Sequence, residues 1–300
     1  MSDTKQGTAT AVGYLEVTNQ TVEASNGITY AYRRLGSSAD GIPIIFLMHF
    51  RGTLDNWDPV LVDAVAAQRE VILVDNTGVG ASTGSTPSTV REMAADLIAF
   101  TDALGLRQFD VFGFSLGGFV AQEIALTRPW ALRSLILAGT GPAGAPRMHG
   151  WREDIARESR LDESTAQSLL YIFFAHTETS SALGVDFLKR IFARTEGRDE
   201  PSTLATRDAQ YDSVLEWGIP DFSKLQRLTG IYQPTLIIQG DNDLMIPTPL
   251  SHLMAGLIPD ARIHIFDDAA HASIFQYPAE TGQLILDHIG YTTSLETANQ

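Results

Sequence analysis

Apolar runs alternate with helix-like stretches along most of this chain, and this rhythm sharply limits the folds open to it. Nearly continuous apolar runs are typical of strands that are buried on both faces. Strands that alternate with helices predict a mostly parallel sheet, with helices covering both of its faces. The predicted strands span residues 14–22, 28–33, 42–48, 71–75, 109–112, 132–138, 234–238 and 261–266.

Helical patterns fill the intervals, and one longer stretch has no strand pattern. Thr89 and Glu92 are spaced as a capping pair at the start of a predicted helix. Other helices are predicted at 116–128, 248–257 and 279–289. The strand pattern stops between 145 and 228, which predicts a helical cap (145–228) over a core formed by residues 1–144 and 229–300. Such an insert would cover the carboxyl ends of the strands, where open α/β sheets bind ligands. The chain ends, 1–12 and 291–300, are predicted to be disordered and frayed, respectively.

Ser115 lies at the junction of the 109–112 strand and the next helix, between Gly113 and Gly117. A serine with glycines two positions away on each side, on a sharp strand-to-helix turn, is the nucleophile-elbow arrangement. Glycine is required because a Cβ would clash in so tight a turn. The N–H of Leu116, at the start of the helix, is a candidate oxyanion donor.

A serine hydroxyl becomes a nucleophile only when a base accepts its proton and a third group orients the base. After the 234–238 strand, His271 is the one histidine predicted in a loop that follows a strand. Asp243 follows the 234–238 strand and is the chosen acid, with Asp241 in reserve. The order Ser115, Asp243, His271 is the order expected on an α/β sheet. Residues 49–52, after the 42–48 strand, are the candidate loop for a second oxyanion donor.

Composition excludes several other classes of function. A net charge of −15 disfavours nucleic acid and anionic membranes as partners. The chain has no cysteine, so it has no disulfide and no thiolate metal site. The polar first residues predict no signal peptide, and no apolar run is long enough to span a bilayer. We therefore expect a cytoplasmic protein that acts on a small molecule; its oligomeric state is not predicted.

Several stretches, taken together, resemble the α/β-hydrolase fold superfamily over about residues 14–289. The closest similarity is to the cap-bearing branch that includes cofactor-free haloperoxidase-like esterases. The stretches are residues 113–118, 75–82, 240–243 with Pro247, and His271 followed by Tyr277 and Pro278.

The resemblance implies an eight-stranded sheet and acyl transfer through a covalent serine ester, with no metal or organic cofactor. It matches the family acid to Asp243. The family's His-Gly-x loop is replaced here by His49-Phe50-Arg51-Gly52, so alignment gives Arg51 as the second N–H donor and a one-residue shift gives Phe50. Ala270 stands before His271 where glycine is usual.

The resemblance leaves the substrate open. An ester-like acyl compound is expected, and C–C bond hydrolysis or perhydrolysis with the same triad are alternatives. Ser115 argues against the dehalogenases and epoxide hydrolases of this fold, which use aspartate there. A ligand receptor with little turnover is a remoter alternative. Six aromatic cap residues could line an apolar pocket: Tyr171, Phe173, Phe174, Phe187, Phe192 and Trp217. For any single one, packing within the cap is the first expectation, but as a group they favour a hydrophobic, medium-sized substrate.

Overall fold

Eight strands form one twisted sheet in the computed structural model, which describes residues 13–298. The order across the sheet is β1-β2-β4-β3-β5-β6-β7-β8. Strand β2 pairs antiparallel with β1 and β4, and all the other pairs are parallel. The strands are β1 (Gln20–Glu23), β2 (Thr29–Leu35), β3 (Ile44–Leu47), β4 (Val71–Val74), β5 (Phe109–Phe114), β6 (Leu132–Ala138), β7 (Thr235–Gly240) and β8 (Ala261–Phe266).

The central strands are the most deeply buried ones. Every residue of β3, β4, β5, β6 and β7 is buried, whereas β8 at the edge is mostly half-buried. This distribution follows from helices covering both faces of a parallel sheet. The predicted strands at 132–138 and 261–266 match β6 and β8 residue for residue.

The first predicted strand is wrong in its first part, because β1 begins only at Gln20. Tyr14 lies in a turn, where its N–H donates to Asp63 Oδ1 at 2.8 Å and its hydroxyl donates to the Leu54 carbonyl. Burial of this tyrosine against distant residues therefore replaces strand pairing. Residues 1–12, predicted to be disordered, lie outside the described residues.

Helices flank the sheet on both sides. The Thr89 hydroxyl accepts the Glu92 N–H at 3.3 Å, as predicted, but the Glu92 carboxylate contacts that hydroxyl and not the Thr89 backbone. The chain end was expected to fray from residue 291, yet the last helix continues to Ala298. These helices are α1 (Pro59–Ala66), α2 (Val90–Ala103), α3 (Leu116–Thr127), α9 (Pro249–Leu257), α10 (Ser273–Gln276) and α11 (Pro278–Ala298).

The segment between β6 and β7, which we call the insert (residues 139–234), is described throughout and contains helices but no strand. It leaves the sheet at the carboxyl end of β6 and returns at the start of β7. Its helices are α4 (Glu153–Ser159), α5 (Ala166–Phe173), α6 (Glu178–Ile191), α7 (Leu204–Trp217) and α8 (Phe222–Gln226). Within residues 13–298, none of the helices has the length and apolar character needed to cross a bilayer.

Candidate active site

Ser115 occupies the turn between β5 and α3 in a backbone conformation that non-glycine residues rarely adopt. Its φ is 56° and its ψ is −117°, and such strain persists only where the surroundings enforce it. A Cβ at Gly113 would lie 2.5 Å from the Gly117 carbonyl oxygen, and one at Gly117 would lie 2.1 Å from the Leu47 carbonyl oxygen. Both positions flanking the serine therefore require glycine, as the sequence pattern indicates.

Three predicted side chains meet at the carboxyl edge of the sheet. The Ser115 Oγ lies 2.9 Å from His271 Nε2, and His271 Nδ1 lies 2.8 Å from Asp243 Oδ2. All three residues are buried. Because the carboxylate accepts from Nδ1–H, Nε2 is left to accept the serine hydroxyl proton.

The second oxygen of Asp243 fixes the carboxylate. Its Oδ1 accepts the N–H groups of Met245 at 2.8 Å and Ile246 at 2.9 Å. The Met245 and Ile246 amides were not predicted from the sequence. The available signal is the aspartate itself, which is favoured in turns because its carboxylate accepts N–H groups a few residues ahead.

Asp241, the reserve acid, has a different place. It is exposed, and its Oδ1 accepts the Ala269 N–H at 3.1 Å, so it supports the loop that carries His271. This loop lies so close to β7 that a Cβ at Gly240 would be 2.3 Å from the carbonyl oxygens of Ala269 and Ala270.

The loop after β3 carries the two candidate oxyanion donors. Arg51 has a φ of 63°, and its N–H donates to Gln210 Oε1 of helix α7 at 2.6 Å. The N–H groups of Phe50 and Leu116 donate no hydrogen bond to any residue between 13 and 298. Nothing in the sequence signals the contact with Gln210.

His49 is buried beside the three side chains. Its Nδ1 lies 2.8 Å from the Phe50 carbonyl oxygen, and its ring packs edge-on against Phe114 and Phe173. Burial, with a smaller contribution from nearby His271, lowers the pKa of His49 to about 4. His49 is therefore uncharged near neutral pH and adds no cation next to His271.

A cavity of about 690 Å³ opens onto Ser115 and His271. Apolar side chains line part of it: Leu169, Ile172, Phe173, Phe192, Leu204 and Met245. Charged side chains line another part: Arg51, Glu158, Asp162, Glu163, Arg198, Asp199 and Glu200. Among residues 13–298 there is no group of three histidine, aspartate or glutamate side chains arranged to hold a metal ion.

Of the six aromatic residues considered as pocket lining, Phe173 and Phe192 line the cavity. Phe174, Phe187 and Trp217 are buried within the protein and Tyr171 is half-buried, so for these four the expected packing role holds. Trp217 stacks on Phe119, with 5.1 Å between ring centroids, and Phe187 stacks on Phe275 at 4.7 Å. The Tyr171 hydroxyl is engaged by Asp154.

Comparison with known proteins agrees with this architecture. The family model of the alpha/beta hydrolase fold matches residues 42–278. A putative carbamate hydrolase of Azorhizobium caulinodans is 29% identical over 261 residues, which are 83% of this chain and 92% of that protein. A putative non-heme bromoperoxidase of Mycobacterium tuberculosis is 25% identical over 256 residues, which are 82% and 93% of the two chains.

A solved structure, an alpha/beta hydrolase fold protein from Chitinophaga pinensis, is 39% identical and superposes with a TM-score of 0.85. The match covers 91% of this chain and 98% of the other. The predicted fold, a mostly parallel eight-stranded sheet with helices on both faces, is confirmed. On this evidence the chain belongs to the α/β hydrolase fold family.

Proposed function

We propose that this protein is a serine hydrolase that cleaves an ester-like bond in a small molecule through Ser115, His271 and Asp243. One observation carries the proposal: a continuous hydrogen-bonded series from Asp243 through His271 to Ser115 faces a cavity large enough for a ligand. Nucleophile, base and orienting acid are thus within direct reach of one another.

The geometry supports a two-stage reaction. His271 Nε2 takes the hydroxyl proton while Ser115 Oγ bonds to the substrate carbonyl carbon, and Asp243 stabilises the imidazolium. Collapse of the tetrahedral adduct expels the leaving group, which receives that proton from His271. Water then gives a proton to His271 and attacks the acyl-enzyme, and the second collapse releases the acid and returns the proton to Ser115.

For the negative oxygen of the adduct, we assign the N–H groups of Leu116 and Phe50. Neither group donates to a residue between 13 and 298, whereas the Arg51 N–H is already donated to Gln210. Leu116 also begins helix α3, whose dipole favours negative charge. Removing one oxyanion donor typically costs about 3 kcal/mol of transition-state stabilisation.

The cavity supports a substrate of moderate size with an apolar portion. Its volume of about 690 Å³ is in the range of small-molecule sites. Phe173 and Met245 lie in its wall together with Ser115, which favours an apolar acyl group. Esters are the first class to test, and carbamates follow because one relative is described as a putative carbamate hydrolase.

Covalent labelling tests the nucleophile. A fluorescent organophosphonate should label the wild-type protein stoichiometrically, and Ser115→Ala should abolish both labelling and hydrolysis of p-nitrophenyl butyrate. Ser134→Ala is the matched control, because Ser134 is also buried but its hydroxyl is donated to Asp110. Labelling that persists in Ser115→Ala would refute the assignment.

A substrate panel tests the reaction type. We expect turnover of p-nitrophenyl esters well above background, with p-nitrophenyl carbamates compared in parallel. A compound cleaved at a C–C bond next to a ketone, and acetate with hydrogen peroxide, represent the alternatives that use the same triad. Saturable binding of these compounds without turnover of any of them would favour a receptor and contradict the proposal.

A further inference from the structure

The peptide group between Phe50 and Arg51 is fixed at both of its polar ends. Its carbonyl oxygen lies 2.8 Å from His49 Nδ1, and its N–H donates to Gln210 Oε1 at 2.6 Å. A peptide group is planar, so these two contacts fix the orientation of the whole plane. The Phe50 N–H, our assigned oxyanion donor, belongs to the preceding peptide group. That group is joined to the Phe50–Arg51 peptide through the Cα of Phe50.

Gln210 reaches this peptide from the insert. It lies in α7, is fully buried, and is 159 residues from Arg51 in sequence. We propose that Gln210 is a positioning residue, which holds the Phe50–Arg51 peptide so that the Phe50 N–H faces the oxyanion. This inference rests on the proposed function and assigns the insert a role in the chemistry besides shaping the cavity.

The side chain of Arg51 makes a second connection between the loop and the insert. Its Nη1 donates to the Leu161 carbonyl oxygen at 2.6 Å, and its Nη2 donates to the Asp162 carbonyl oxygen at 3.0 Å. Arg51 is buried, with 8% of its surface exposed. These contacts occupy much of the guanidinium, so we assign Arg51 to holding the loop and not to binding a substrate carboxylate.

The backbone conformation explains why the loop depends on these contacts. Arg51 has a φ of 63°, in the left-handed region that is unfavourable for residues with a Cβ. Tertiary contacts must therefore maintain it. Without Gln210 the buried Arg51 N–H would lose its acceptor, and rotation of the peptide would be the simplest way to recover one. That rotation would move the neighbouring Phe50 N–H away from the oxyanion.

The proposal is tested by exchanging the acceptor. Gln210→Met keeps the length of the side chain but removes the acceptor, and Gln210→Glu retains an acceptor oxygen. With p-nitrophenyl butyrate, we expect Gln210→Met to lower kcat by about 10- to 100-fold with KM within about threefold of wild type. Gln210→Glu should recover most of this loss.

Two further measurements separate positioning from a general structural effect. A trifluoromethyl ketone, which forms a charged tetrahedral adduct with the serine, should bind Gln210→Met more weakly by about the same factor as kcat falls. Ser213→Ala is the matched control, because Ser213 is buried on the same helix and its hydroxyl donates to the Gln210 carbonyl oxygen. This control should retain wild-type kcat and ketone affinity.

The outcomes are distinct. A wild-type kcat in Gln210→Met would overturn the positioning role of Gln210 and leave the proposed function standing. An equal loss of kcat in Gln210→Met and Gln210→Glu would do the same. If Gln210→Met does not fold, Gln210→Asn, which withdraws the acceptor by one methylene, carries the same test. Activity or labelling that survives in Ser115→Ala would overturn the proposed function, and with it this inference.

Discussion

Acid should destabilise this protein through His49, a buried histidine that transfers no proton in the proposed reaction. Its pKa is about 4 in the folded protein, against an ordinary value of 6.5, mainly because burial penalises the charged ring. In the unfolded chain the ring is exposed to water and takes up a proton near pH 6.5. Between these two values the unfolded state binds more protons than the folded state, so the free energy of unfolding falls as the pH falls.

The size of the effect follows from the two pKa values. A difference of 2.5 units, from 6.5 to about 4, corresponds to about 3.4 kcal/mol at full protonation, since one unit is about 1.4 kcal/mol. Most of this loss should already be present at moderate acidity: linkage gives about 2 kcal/mol at pH 5. That is a large fraction of the stability of an ordinary domain.

The assay is urea unfolding of the wild type and of His49→Asn at pH 7.5 and pH 5. The asparagine amide nitrogen can replace Nδ1 as a donor to the Phe50 carbonyl, but it does not titrate. The variant should be less stable than wild type at pH 7.5 because ring packing is lost. The gap should shrink by about 2 kcal/mol at pH 5.

Comparison of the two proteins at each pH cancels the other titrating groups. One of these is Asp75, whose pKa is raised by burial and which therefore acts in the opposite direction. Val111→Ala is the control: this buried β5 residue cannot titrate, so its stability deficit should be the same at both pH values. An equal gap between wild type and His49→Asn at pH 7.5 and pH 5 would refute the reasoning.

Four further predictions concern the site and the stability of the fold. Asp243→Asn should lower kcat in an ester assay by about 10⁴-fold, because the amide favours the wrong histidine tautomer. Asp241→Asn should keep kcat within about twofold of wild type, and equal losses in the two variants would contradict the assignment. Gly240→Ala places a Cβ 2.3 Å from two carbonyl oxygens and should cost about 3 kcal/mol in urea unfolding. Gly290→Ala meets nothing within 4 Å on helix α11 and should stabilise by up to about 1 kcal/mol. Phe192→Ala, at a position that is 53% exposed in the cavity wall, should raise KM for long acyl esters but not for the acetate, with little change in Tm.

The local apolar pattern was sufficient to predict a strand where burial on both faces of the sheet dominates. The 132–138 run has five apolar residues among its seven, and β6 has these bounds. Its one charged residue, Arg133, is buried because it is paired with Asp110 of β5. Pattern failed at Tyr14, the first residue of a predicted strand. This residue lies in a turn held by its contacts with Leu54 and Asp63, and the strand begins only at Gln20. For the insert aromatics the pattern left open which rings line the cavity, since periodicity indicates a buried face but not whether that face meets a cavity or another ring.

The sequence by itself determined the sheet, the strained serine turn and the order of the three polar residues that meet there. Glycine spacing and apolar periodicity are local properties, and parallel strands bring their carboxyl ends to one edge in any such fold. The tertiary structure decided which N–H groups remain free and which aromatic rings reach the cavity. Those outcomes depend on contacts such as the one between Arg51 and Gln210, 159 residues apart, which no local pattern encodes.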